Sequence, residues 1–124
     1  MKFRVYYDDT DAGGIVYHAN YIKYFERARS ELFFQYGKSP AIDGGHFVVK
    51  HLEADFIKSA KLGDILEVRH EVLEMKNASI KLLQNIFKED EKIFEIISSL
   101  VFVKNGRPSR IDKETKEFIL KILG

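Results

Sequence analysis

The chain has 124 residues, 45% hydrophobic and 31% charged, a balance that points to one globular domain spanning residues 1–124 and excludes a disordered or fibrous chain. Twenty basic residues against nineteen acidic ones leave a formal net charge of +1, so no overall field favours nucleic acid or an anionic bilayer as a partner. Cysteine is absent, which excludes disulfides, thiolate metal sites and cysteine nucleophiles.

The first predicted element is a strand over residues 3–7, Phe3-Arg4-Val5-Tyr6-Tyr7, made of β-branched and aromatic residues. The start of the chain lacks the apolar run of a signal peptide, and no later span is long enough to cross a bilayer. The expectation is a mature, soluble, cytoplasmic protein. The strand runs into Asp8-Asp9-Thr10-Asp11-Ala12-Gly13-Gly14, a cluster of carboxylates with turn chemistry. From Tyr21 the apolar residues Tyr21, Tyr24, Phe25, Ala28 and Leu32 recur at helical spacing, which predicts one long helix with Gly37 as its stop. His18 falls at the start of that helix.

Residues 38–46, with Pro40, Gly44 and Gly45, form a predicted connecting loop. Four strands are then predicted, about Phe47 to Lys58, Ile65 to Met75, Ser79 to Lys88 and Ile93 to Lys104. Polar breaks at Gly63-Asp64, Lys76-Asn77 and Glu89-Asp90-Glu91 have hairpin spacing and make this half an antiparallel meander. Phe94 to Val103 is apolar on both alternate sets, the pattern of a strand covered on both faces. A short amphipathic helix closes the chain, with Asp112 as its N-cap. The fold class is α+β, one helix on one antiparallel sheet, and unpaired strand edges make dimerisation by edge pairing the natural remedy.

Three carboxylates beside two glycines, just ahead of a helix, have the layout of an acyl-transfer site. A helix N-terminus offers unpaired N–H groups and partial positive charge that polarise a carbonyl oxygen, and a nearby aspartate can attack the carbonyl carbon or activate water. Gly13 and Gly14 let backbone approach a substrate closely, and Gly14, Val16 and Tyr17 are candidate substrate contacts. The competing reading is a plain turn with a capping carboxylate. A calcium loop fits the first positions but fails at the twelfth, which is Asn20. His18 can orient substrate or cap the helix, and Tyr7 can reach the same pocket or pack in the core. No Gly-x-Ser-x-Gly, Walker or Gly-x-Gly-x-x-Gly pattern occurs, and His46, His51 and His70 have no metal-ligand spacing.

The run from Tyr6 through Asp8-Asp9-Thr10-Asp11-Ala12-Gly13-Gly14-Ile15-Val16-Tyr17-His18-Ala19-Asn20 to Tyr21 resembles the 4-hydroxybenzoyl-CoA thioesterase family of hotdog-fold proteins, in particular its YbgC-like branch associated with the Tol-Pal system. The likeness continues through Phe25-Glu26-Arg27-Ala28-Arg29-Ser30-Glu31 and, more loosely, through Ala54-Asp55-Phe56 and Leu62-Gly63-Asp64 to Arg107-Pro108. It implies a hotdog fold, a long helix wrapped by a five-stranded antiparallel sheet, assembled as a homodimer and often a homotetramer. It also implies acyl-CoA hydrolysis without a cofactor beyond the coenzyme A of the substrate, with Asp11 as catalytic carboxylate. By the same likeness the backbone N–H of His18 polarises the thioester carbonyl, the His18 side chain and Tyr7 assist, and Lys58, Lys61 and Arg107 lie near the CoA phosphates. The alternatives are a hotdog hydratase or dehydratase and a non-catalytic acyl-binding partner of an acyl carrier protein or envelope complex.

Overall fold

The computed structural model describes residues 1–124. Its elements in order are β1 (Lys2–Arg4), α1 (His18–Gln35), β2 (His46–Phe56), β3 (Ile65–Met75), β4 (Ser79–Lys88), β5 (Glu91–Lys104), β6 (Arg107–Pro108) and α2 (Lys113–Leu123). The sheet runs β1-β3-β4-β5-β2, with β6 paired to the far end of β5, and every pairing is antiparallel. Five strands were expected, and β6 adds a two-residue sixth. No helix is long and apolar enough to cross a membrane.

The meander follows from its turns. Lys88 pairs with Glu91 across Glu89 and Asp90, both at positive φ, the backbone that a two-residue hairpin requires. Alternation then sends Ile80, Leu82, Gln84 and Ile86 of β4, and Phe94, Ile96, Ser98, Leu100 and Phe102 of β5, inward beneath α1. The other face of β5, with Glu95, Ile97, Ser99 and Val101, is only half-buried. Cover on both faces was expected, and no layer of this chain supplies the second.

Two apolar clusters lie under α1. Tyr21, Tyr24, Phe25 and Ala28 meet Leu66, Val68, Ile86, Phe94 and Ile96 at the first half of the helix. Phe33 meets Ile80, Leu82, Leu100 and the α2 residues Ile119, Ile122 and Leu123 at the second. Between them sits a polar link: Arg29 Nη1 donates to Gln84 Oε1 at 2.8 Å, and Gln84 Nε2 donates to the Phe25 carbonyl at 3.1 Å. Gln84 is fully buried, and two hydrogen bonds offset the cost of its desolvation.

The predicted strand over residues 3–7 is shorter than expected. Ladder pairing ends at Arg4, and Tyr7–Asp9 form a 3-10 turn. The cause is the Asp9 carboxylate, whose Oδ2 accepts the Tyr6 N–H at 2.9 Å and gives the backbone a local alternative to the sheet. At the other end of α1, the loop closes on Gly45, where any Cβ would lie 2.5 Å from the Val103 carbonyl oxygen.

Candidate active site

The loop between β1 and α1 is held at three places. Val5 N–H donates to Asp64 O at 2.9 Å and Val16 N–H to Ala60 O at 2.8 Å, while Ile15 bridges to Lys61. Asp9 forms the third anchor. Its carbonyl accepts both the Tyr17 N–H at 3.0 Å and the Asn20 side-chain amide at 2.9 Å. Asp9 is therefore a structural latch.

Asp11 stands at the first corner of a small hairpin closed by the Thr10 to Val16 bridge. Its N–H donates to Ile15 O at 2.9 Å, and its carbonyl accepts the Gly14 N–H at 3.0 Å. Gly14 has φ of +79°, a conformation that an L side chain strains. One carboxylate oxygen of Asp11 accepts the Gly13 N–H at 2.8 Å, while the other accepts nothing within the chain. The side chain is exposed and has no cation partner.

Three residues beyond Ile15, α1 begins without a cap. Tyr17 occupies the N-cap position and offers no side-chain acceptor, and the first turn holds no acidic residue. The N–H groups of His18 and Ala19 make no hydrogen bond within the chain. By contrast α2 is closed by Asp112, whose carboxylate accepts the Thr115 N–H at 2.7 Å. An uncapped start on an 18-residue helix carries partial positive charge and open donors, as an oxyanion site requires.

Of the other candidates, Gly14, Val16, Tyr17 and His18 share this corner. Val16 is buried and sets the loop against the core, whereas the exposed Tyr17 ring packs on His18 at 4.5 Å. The His18 ring meets the edge of Phe56 at 6.3 Å, and no hydrogen bond joins it to the Asp11 carboxylate. Tyr7 is 83% exposed and packs in no core. Lys61 lies against the loop through its bridge to Ile15, while Lys58 is tied to Glu91 at 2.8 Å. Arg107 in β6 lies at the opposite end of the chain's sheet from the loop. No three His, Asp or Glu side chains converge as a metal-ligand group.

Beneath the loop, the Tyr21 hydroxyl accepts the Ala60 N–H at 3.0 Å, and its ring stacks on Phe94. Burial raises the Tyr21 pKa, against the effect of that hydrogen bond. Asp64 closes the adjacent turn with Oδ2 on the Lys61 N–H at 2.9 Å and on Lys88 at 3.0 Å. Burial opposes ionisation of Asp64, but the Lys61 N–H and Lys88 outweigh it and hold its carboxyl below the usual range. Sequence reasoning missed the supports Asp9, Asn20, Ala60 and Asp64. Only Asn20, an amide in the first turn of a helix whose N-cap carries no acceptor, gave a local signal.

Residues 13–95 match the Thioesterase superfamily. The chain is 41% identical to "Acyl-CoA thioesterase YbgC" of Helicobacter pylori over 96% of this chain and 98% of that protein. Among solved structures, a hypothetical protein from Aquifex aeolicus superposes with a TM-score of 0.88 at 30% identity, covering 100% of this chain and 98% of that one. A probable thioesterase from Bartonella henselae superposes with a TM-score of 0.84 at 28% identity, covering 90% of this chain and 97% of that one. The fold is the hotdog fold.

Proposed function

Because the chain belongs to the thioesterase superfamily and is a thioester hydrolase, we propose that its substrate is an acyl-CoA and that Asp11 carries the reaction. The observation behind this reading is that one Asp11 oxygen is unengaged on the loop that leads into α1, whose first N–H groups, those of His18 and Ala19, are open. A thioester carbonyl set at the start of α1 donates no proton and accepts those N–H groups, so its carbon becomes more electrophilic and negative charge on its oxygen is stabilised. Asp11 then either adds to that carbon, expelling CoA thiolate and leaving an anhydride that water cleaves, or removes a proton from the water that attacks. Both routes yield free acid and CoA, and both need the carboxylate ionised.

Gly14, Val16 and Tyr17 shape the floor of the site, the His18 ring and Tyr7 flank the acyl group, and Lys61 meets the CoA phosphates with Lys58 beyond it, whereas Arg107, at the far end of the same chain, is not part of this copy's site. The working unit in this reading is a homodimer in which two copies of β2 pair edge to edge. β2 is an 11-residue edge strand with Val48 and Val49 exposed, a surface that favours pairing with its own copy. Two dimers joined through the half-buried face of β5 give the tetramer. The residues 1–124 act as one hotdog domain throughout.

Replacing Asp11 with Asn keeps the shape and removes the charge. In a thiol-release assay over a panel of acyl-CoA chain lengths, Asp11→Asn should lose at least about a hundredfold in turnover. Unchanged turnover in the folded variant rules out the mechanism.

A further inference from the structure

A cavity of about 360 Å³ lies between the second half of α1, the loop at Pro40 and Ala41, and the edge strand β2. Phe33, Val49, Ile80 and Leu100 give it an apolar lining, and Arg29 reaches it from the polar link beneath the helix. Arg29 is half-buried and anchored by one hydrogen bond to a glutamine that is itself fully buried and fixed. A guanidinium has five N–H donors, and no carboxylate lies within ion-pair distance of this one. Glu26 also borders the cavity, one turn earlier, but it is exposed and does not touch the guanidinium. Burial lowers the Arg29 pKa and Glu26 partly restores it, yet an arginine stays charged throughout the working range of pH.

A cation held at the wall of an apolar cavity without a counter-charge is costly, and a ligand carrying an acceptor anion removes that cost. We propose that Arg29 is a specificity-determining residue of the acyl pocket, and that it selects acyl groups bearing a carboxylate at the end remote from the thioester. Such substrates are CoA monothioesters of dicarboxylic acids. The inference rests on the acyl-CoA reading above and adds the substrate class. Within one protomer, Arg29 is eleven residues along α1 from His18, a run of about 16 Å at the rise of a helix. Twofold pairing of β2 supplies a second route. It sets the His46 to Val49 end of one copy, which borders the cavity, opposite the Phe56 end of the other, beside which the other copy's α1 begins.

The test compares matched pairs of CoA thioesters by thiol release: hexanoyl with adipoyl, octanoyl with suberoyl, and decanoyl with sebacoyl. The wild-type protein should favour the carboxylate member by about tenfold or more in kcat/KM at one or more chain lengths, chiefly through KM. Arg29→Met should bring that ratio to about one, and Glu26→Gln, which removes a competing negative charge from an exposed helix position, should raise it. The wild-type ratio and the Glu26→Gln ratio stand independently of whether Arg29→Met folds with Gln84 left unpaired. A wild-type ratio of one or below at every length overturns the inference while leaving the thioesterase reading intact, as does an undiminished ratio in folded Arg29→Met. No thiol release from any member, plain acyl chains included, overturns both.

Discussion

His70 occupies the helix-facing side of β3, on the same alternate set as Leu66 and Val68, and its Nε2 has no hydrogen-bond partner. Burial, then the N-terminal ammonium and Arg29, push its pKa from 6.5 down to about 4. The folded protein keeps this ring neutral at pH values where the unfolded chain already binds a proton. Unfolding therefore takes up a proton between those two pKa values, and the stability contribution is complete above about pH 6.5 and lost as pH falls towards 4. The loss is on the order of 3 kcal/mol at most, from a shift of that size. His70→Leu removes the titration, so urea midpoints at pH 7 and pH 4.5 should differ less in the variant than in the wild type. An equal difference would show that other groups carry the acid sensitivity.

The two helices differ at their first residues, and the difference separates stability from the proposed chemistry. Asp112 closes α2, whereas Tyr17 leaves α1 open. Tyr17 already has the extended backbone of an N-cap, with φ of −62° and ψ of 131°, so Tyr17→Ser needs no rearrangement to place a hydroxyl over the first turn. That variant should gain about 1 kcal/mol in thermal or urea unfolding and lose thioester turnover, because its hydroxyl can take up the Ala19 N–H, one of the two proposed for the carbonyl. Retained turnover with raised stability would move the oxyanion site elsewhere. Sequence read these elements unevenly, for physical reasons. β3 and β4 fall where Gly63-Asp64, Lys76-Asn77 and Glu89-Asp90 bounded them, since a turn residue and a change of period are both local signals. The start of α1 lies at His18 as expected, ahead of the apolar repeat at Tyr21, and His18-Ala19-Asn20, which has no periodicity, is fixed by Tyr17 and Asp9. Asp11 stood out through its motif, but the distinct task of Asp9 did not, because both are acidic residues in one turn. The pairings of Tyr21 with Ala60 and Arg29 with Gln84 join residues 39 and 55 positions apart, and no local pattern announces such partners.

For the molecule as a whole, the two sheet edges are unequal. β1 is three residues long and self-limiting, while β2 is eleven residues long and presents exposed valines. A lysine on such an edge is the common device against pairing. Val48→Lys should shift the sedimenting mass to that of a single chain and lower turnover by at least about tenfold, a scale at which one misplaced contact region matters to catalysis. A monomeric variant with full turnover would make each chain self-sufficient. The Asp11 corner has one further property. Asp11 sits near the start of the chain, yet the groups that fix its loop, Ala60, Lys61 and Asp64, are about fifty positions later. During synthesis the corner has nothing to close against until that later turn has left the ribosome. On the proposed mechanism, a nascent chain has its Asp11 carboxylate unplaced, and thioester hydrolysis waits until the sheet has started to assemble.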